Sequence, residues 1–204
     1  MGAGVGPRKG LGVEAEVRMC QTPVMNALLS IPKVKNQTVF NIDRWEEIGR
    51  DPMVRNWPGR VETDRYGNTI MMCYTEFSHG GKQADLVELL RKHAPAGKVT
   101  VECPISTSEG IKVADVVWLS KKRLVQVGGR VALKAAPEIC VEVVSPGNKR
   151  GEIEEKRRLY FEAGAKEVWV CDRRGRLLFF LKDDPEKAAA SLLCPKIPRT
   201  LSVD

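Results

Sequence analysis

The chain has 204 residues, of which 43% are hydrophobic and 29% charged, and it carries a formal net charge of +7. This length suffices for one domain with a buried core, and the composition is that of a globular protein rather than a disordered or membrane-spanning one. The basic balance favours polyanionic partners, nucleic acid above all.

The N-terminus and the cysteines bear on the compartment. Residues 1–37 are rich in Gly, Pro and Lys, which predicts a loosely ordered arm ahead of a single domain at 38–204. The arm lacks the apolar stretch of a secretory signal. Since no two cysteines form a CxxC pair, we expect a reduced, cytoplasmic protein without a zinc site. The six are Cys20, Cys73, Cys103, Cys140, Cys171 and Cys194.

In the first half of the chain, two helices flank a hairpin. Asp43 with Glu46 three residues later forms a capping-box pattern at the start of a helix. A strand hairpin follows, with its turn at residues 66–68. The next helix has Ser78 as a candidate N-cap and is ended by Pro95.

The second half of the chain begins with strands. Alternating or continuous apolar patterns predict strands at 98–105, 111–119 and 138–145, the last two separated by a long basic loop at 120–137. An amphipathic helix ending at Gly164 comes next, and two more strands complete the pattern. This order predicts an α/β (α+β) fold, a mixed β-sheet flanked by helices.

Two carboxylates stand inside apolar strands. Asp115 lies in VADVVW and Glu142 in EICVEVV, and an unpaired carboxylate in a core costs several kcal/mol. Each acid alone is read more simply as facing solvent. Acids on neighbouring strands can instead share a divalent cation, and Mg²⁺ or Mn²⁺ takes carboxylate oxygens.

The helix after Glu142 offers a cation. Ile153, Lys156 and Tyr160 recur at helical spacing on the stripe that faces the sheet. A lysine there either extends its ammonium to solvent or serves a carboxylate, a phosphate or a water.

These segments together resemble a known family. VADVVW, then PEICVEVVSP, then EEKRRLYFEAGAKEVWVCD is similar to the Uma-two family of putative restriction endonucleases, within the PD-(D/E)XK nuclease superfamily. The resemblance runs from about Arg44 to Leu178, and Ser78 to Gly80 resembles the family's early His-Gly segment.

The resemblance implies a restriction-endonuclease-like core and a metal-dependent nuclease site. Asp115 and Glu142 would be catalytic acids and metal ligands, and Lys156 the catalytic basic residue. Two positions depart from the superfamily pattern: Ala114 replaces the proline before Asp115, and Val144 stands where the lysine usually follows the second acid. The second departure makes Lys156, on the following helix, indispensable to the site.

Accessory candidates are weaker. His79 and Gln83 lie four residues apart on one helix face, where His79 could position phosphate or move a proton, or simply cap the helix. Tyr160 fits a core residue that supports Lys156. Glu62 and Glu76 could add carboxylates, but their spacing does not single them out.

Basic residues around the long loop and after Glu142 would suit a phosphate backbone, although a charge run is more often a solvated face. They are Lys121, Lys122, Arg123, Arg130, Lys134, Lys149 and Arg150.

The leading hypothesis is a Mg²⁺- or Mn²⁺-dependent nuclease that hydrolyses phosphodiester bonds in DNA, with no membrane partner. A homodimer would suit the two strands of a duplex. The alternative is a non-catalytic nucleic-acid-binding or assembly protein that retains the nuclease scaffold. A hydrolase built on His79 and Cys73 lacks an orienting acid at suggestive spacing.

Overall fold

The computed structural model describes residues 34–72, 76–148, 151–188 and 190–201, which form both helices and strands. The helices are α1 Gln37–Ile48, α2 Pro52–Arg55, α3 Phe77–His93, α4 Lys121–Val127 and α5 Glu152–Glu162. The strands are β1 Val61–Thr63, β2 Thr69–Met71, β3 Gly97–Thr107, β4 Gly110–Ser120, β5 Ile139–Val143, β6 Glu167–Cys171, β7 Leu177–Leu181 and β8 Asp184–Ala188.

The main sheet has six strands in the order β3-β4-β5-β6-β7-β8. Only β5 and β6 run parallel, joined by the crossover through α5, and every other neighbouring pair is antiparallel. β1 and β2 form a separate antiparallel hairpin. The predicted mixed sheet flanked by helices is therefore confirmed.

Apolar side chains cover both faces of the sheet, because alternate residues of a strand point to opposite sides. On one face, Leu86 and Leu90 of α3 share a buried cluster with Val141 of β5. On the other face, Tyr160 of α5 packs in a second cluster with Cys140 of β5. The sheet is thus enclosed between α3 and α5, and both helices can reach groups in its centre.

Two predicted helix starts differ from the structure. α1 begins six residues before Asp43, with the Asn36 side chain accepting a hydrogen bond from the Val39 amide. α3 begins after Glu76 and has no side-chain cap, so Ser78 is its second residue rather than its N-cap. A side-chain cap is only one way to satisfy the first amides of a helix.

The segment 120–137, predicted as a long loop, contains the helix α4. The Ser120 side chain caps this helix by accepting a hydrogen bond from the Arg123 amide at 3.1 Å. The predicted end of α5 is confirmed: Gly164 has φ +103°, a left-handed conformation that glycine adopts without steric cost.

Several predictions concern residues outside the described part of the chain. They are the N-terminal arm up to residue 33, Cys20, Cys73, Lys149 and Arg150. The four described cysteines are free and buried. No helix within the described ranges is long and apolar enough to cross a membrane.

Candidate active site

Three acids stand side by side on the three strands β3, β4 and β5. Val101 pairs with Val116, and Val116 pairs in turn with Val141. One step further along the antiparallel register, the positions aligned are Glu102, Asp115 and Glu142, which we call the acid row. Like charges on directly opposed residues destabilise a sheet, so this row requires cations or hydrogen-bond donors.

Asp115 sits where the hydrogen-bond ladder between β4 and β5 stops. The β4–β5 pairing covers Val116 to Trp118 only, and beyond it the Asp115 Oδ2 atom accepts a hydrogen bond from the Val143 amide at 2.6 Å. The carboxylate thereby serves as the acceptor for an amide that would otherwise bond to a backbone carbonyl of the neighbouring strand. This local break in the ladder explains how a strand of valines accommodates an acid that is only 1% exposed.

The other oxygen of Asp115 faces two basic groups. Its Oδ1 atom lies 3.1 Å from the Nε2 atom of His79 and accepts a hydrogen bond from Arg60. Burial alone would raise the pKa of Asp115, but the bond from His79, the charge of Arg60 and the Val143 amide together lower it to about 2. Asp115 is therefore ionised at neutral pH.

Glu142 has the opposite electrostatic setting. Its Oε1 atom accepts a hydrogen bond from the Tyr160 hydroxyl at 2.7 Å, and its Oε2 atom lies 3.3 Å from the Lys156 ammonium. Burial raises the pKa of Glu142 to about 8, with a further rise from the charge of Asp115, although Lys156 and Arg60 oppose it. Glu142 is thus an acid held close to its protonated form.

Lys156 is buried rather than extended into solvent, at 4% exposure. Its ammonium contacts Glu62 Oε1 at 2.7 Å, Glu142 Oε2 at 3.3 Å and the Val113 carbonyl at 3.3 Å. Burial would lower its pKa, but the charges of Glu142 and Glu62 hold the pKa above its ordinary value. Since an ammonium has three donors, these three acceptors use all of them.

Glu62 fixes Lys156 from the β1–β2 hairpin. Besides contacting the ammonium, its Oε1 atom accepts a hydrogen bond from the Val113 amide at 3.0 Å. The hairpin is thereby anchored to β4 beside the acid row. Glu76, the other acid considered from the sequence, is instead the exposed N-cap residue of α3.

Gln83 reaches the acid row from α3. Its amide donates to Glu102 Oε1 at 2.6 Å and lies 3.3 Å from Asp115 Oδ1. The structure therefore brings all six sequence-predicted residues to the row: Asp115, Glu142, Lys156, His79, Gln83 and Tyr160.

Two residues of the site were not predicted from the sequence, Glu102 and Arg60. The signal for Glu102 was available: β3 and β4 form a hairpin around residues 108–109, and counting back from that turn places Glu102 opposite Asp115. No pattern in the sequence indicates Arg60, because its contact with Asp115 depends on how the β1–β2 hairpin docks on the main sheet.

One set of described residues has the spacing of a metal site. His79, Glu102 and Asp115 each offer a ligand atom, and these atoms lie within 4.8 Å of one another. Ligands at 2.0–2.6 Å from a shared divalent cation lie at most about 4–5 Å apart, so the donor set fits such an ion. Glu142, the second ligand expected from the sequence, is not in this set; it lies one strand further along the row.

Among the basic residues predicted to bind phosphate, Arg123 has a structural role. Its guanidinium donates to the carbonyls of Ala136, at 2.9 and 2.6 Å, and Gly164, at 3.2 Å. It thus ties α4 to the end of α5. Lys121, Lys122, Arg130 and Lys134 are exposed.

The fold is similar to that of a solved structure. A crystal structure of "a putative nuclease belonging to DUF820 from Anabaena variabilis" is similar to this chain with a TM-score of 0.51 and 14% sequence identity. The match covers 64% of this chain and 74% of that one, and at this identity it establishes the fold alone.

The family is shown by the sequence. The model of the Uma2 family, described as "Putative restriction endonuclease", matches residues 45–196, well over half of the chain, and the protein belongs to that family. None of the curated proteins matches it.

Proposed function

We propose that the protein is a divalent-metal-dependent nuclease that hydrolyses phosphodiester bonds in DNA. The observation that carries the proposal is the convergence of Asp115, Glu142 and Lys156 at one buried place, where an ionised acid, a second acid and an ammonium lie together. Family membership supports hydrolysis of nucleic acid, and the net charge of +7 supports a polyanionic substrate.

Asp115 and Glu142 would hold the cation, with Glu102 and His79 close enough to Asp115 to complete its ligands. A bound divalent ion lowers the pKa of a water and neutralises charge on the scissile phosphate. The proposed task of Lys156 is to orient the attacking water. Because its three donors are occupied, it would have to release one of its two 3.3 Å contacts to do so.

Mn²⁺ suits the donor set at least as well as Mg²⁺. Carboxylate oxygens bind both ions, but imidazole nitrogen is a poor ligand for Mg²⁺ and a better one for transition metals. If His79 contributes its nitrogen, cleavage should be faster with Mn²⁺. Action in the cytoplasm is supported by the four cysteines within the described ranges, which are free and buried. A homodimer stays a prediction.

The test compares wild-type protein with Glu142→Gln on a panel of double- and single-stranded DNA and RNA. We expect cleavage by the wild type with Mn²⁺ or Mg²⁺, none with EDTA, and a loss of at least about 10²-fold in Glu142→Gln with DNA binding retained. Glu155→Gln, an exposed acid on α5, is the matched control and should cleave normally.

The alternative, a nucleic-acid-binding or assembly protein on a nuclease scaffold, predicts a different pattern. Wild type and Glu142→Gln would then bind DNA equally and neither would cleave any substrate with any metal. That result would refute the proposed activity.

A further inference from the structure

Arg60 occupies the gap between two members of the acid row. It stands directly before β1, and its side chain is only 12% exposed. Its Nε and one terminal nitrogen donate to the two oxygens of Glu102, at 3.0 and 2.7 Å. The same terminal nitrogen also donates to Asp115 Oδ1, so a single guanidinium bridges both carboxylates.

These are the oxygens that a divalent cation would need. Glu102 and Asp115, with His79, supply the described ligand atoms that lie within 4.8 Å of one another. A guanidinium bonded to both carboxylates and a metal coordinated by both cannot occupy the gap together. The fork of donors on arginine matches two carboxylates well, which makes Arg60 an effective substitute for an ion.

The space beside Arg60 could receive its side chain. A cleft of about 290 Å³ opens beside it, lined by Arg60 and Glu102 together with Trp45, Gly59 and Val61. The backbone of Arg60 is held by the hairpin, since its carbonyl accepts a hydrogen bond from the Met72 amide at 2.8 Å. The displacement would therefore involve the side chain, with this backbone hydrogen bond kept.

The backbone of Glu102 has an unfavourable conformation. It has φ +46°, the one described residue other than glycine with a positive φ. A left-handed conformation at such a residue is unfavourable and persists where the surroundings enforce it. Here the strained residue is the one whose carboxylate meets Arg60.

We infer that Arg60 is a resident counter-cation, which holds Glu102 and Asp115 together in the metal-free protein and is displaced into the adjoining cleft when a divalent cation binds. The inference rests on the proposed function in that it takes the acid row as the metal centre. It adds that metal affinity is set by competition with an internal guanidinium.

The test is Mn²⁺ binding to EDTA-treated protein by isothermal titration calorimetry. Arg60→Gln removes the competitor, and we expect its dissociation constant for Mn²⁺ to be at least tenfold lower than that of the wild type. Arg60→Lys keeps a charge but loses the bidentate fork that binds both oxygens of Glu102, and its dissociation constant should fall between the other two.

Two controls separate displacement from a general gain of negative charge. Lys112→Gln removes a buried cation of β4 that contacts Glu62 and Thr63 rather than Asp115, and Arg65→Gln removes an exposed one from the β1–β2 turn. Both should change Mn²⁺ affinity much less than Arg60→Gln does.

A melting experiment gives a second readout. Metal-free Arg60→Gln should melt below the wild type, because the two acids lose their cation, and saturating Mn²⁺ should raise its melting temperature more than that of the wild type. If metal-free Arg60→Gln does not fold, Arg60→Lys carries the comparison.

The outcomes separate the inference from the proposed function. If the wild type binds Mn²⁺ and the Arg60 variants bind it equally or more weakly, the inference is wrong and the nuclease proposal stands. The inference is also wrong if Lys112→Gln tightens binding as much as Arg60→Gln. If no variant binds Mn²⁺ and the wild type does not either, the metal centre itself is refuted.

Discussion

The acid row has an open half, Glu102 and Asp115, and a closed half, Glu142 with its neighbours Glu62, Lys156 and Tyr160. Both halves contain carboxylates, but their electrostatic environments are opposite. Around Asp115, cations and donors converge from α3, β5 and the hairpin, and the pKa of the acid falls to about 2. Around Glu142, burial is complete and the like charge of Asp115 is close, and the pKa rises to about 8. Environments that separate the pKa values of two neighbouring acids are typical of catalytic pairs.

Exposure separates the halves as well. Glu102, beyond Asp115, has a side chain that is 44% exposed and borders the open cleft. The Glu142 half is closed, with Glu62 and Lys156 each 5% exposed at the side chain and Tyr160 fully buried. We therefore assign the entry and release of the cation to the half that contains Glu102 and Asp115, and a rigidly positioned metal ligand, Glu142, to the other half. The following predictions test that division.

The largest effect on folding is expected in the closed half. Lys156→Gln removes the ammonium shared by Glu62 and Glu142, which leaves Glu142 without its ion-pair partner and Glu62 with only the 3.9 Å contact to Lys112. The free energy of unfolding, measured by urea denaturation, should fall by about 3–5 kcal/mol. Lys122→Gln, an exposed lysine on α4, is the control and should change it by no more than about 0.5 kcal/mol.

A loss below about 1 kcal/mol in Lys156→Gln would mean that the closed half tolerates an unpaired acid. The rigid role assigned to it would then be wrong.

The pH dependence of stability should separate the two acids. Because the folded-state pKa of Glu142 is raised, from 4.5 to about 8, the metal-free folded state binds an extra proton between those values. Stability relative to Glu142→Gln should therefore fall as pH rises from about 4.5 to 8, by up to about 1.4 kcal/mol per pH unit. Urea titrations at several pH values in that window measure the slope.

Asp115 contributes with the opposite sign. Its lowered pKa gives stability that is present above its ordinary value of 3.8 and is lost as pH falls toward about 2. Asp115→Asn should lack that acid-range change and should also narrow the pH range of the Glu142 effect, because the charge of Asp115 helps to raise the pKa of Glu142. A constant difference between wild type and Glu142→Gln from about pH 5 to 8 would contradict the raised pKa.

The smallest effect on folding is expected in the open half. Glu102→Gln breaks a pair with Arg60 whose acid is 44% exposed, and it also relieves repulsion with Asp115. The free energy of unfolding should change by no more than about 1 kcal/mol in either direction. Glu109→Gln, which loses an exposed partner in Arg65, is the matched control. A loss above about 2 kcal/mol in Glu102→Gln alone would contradict the division.

Three residues of the site could be predicted from the sequence because each of them interrupts a local apolar pattern. Asp115 and Glu142 interrupted apolar strands, and Lys156 stood on the buried stripe of an amphipathic helix. The structure places the Lys156 ammonium 3.3 Å from Glu142. Glu102 broke no pattern, since a glutamate in an alternating strand is expected to face solvent.

The sequence alone determined the principal helices, the strands other than β8, and the charged residues that interrupt them, because hydrophobic periodicity and turn residues act over short distances. The tertiary structure decided which charges meet. Register aligned Glu102, Asp115 and Glu142 on three strands, and docking of the β1–β2 hairpin delivered Arg60 and Glu62 from far along the chain. The pKa values of these groups depend on distances and burial across the whole sheet, which no local pattern encodes.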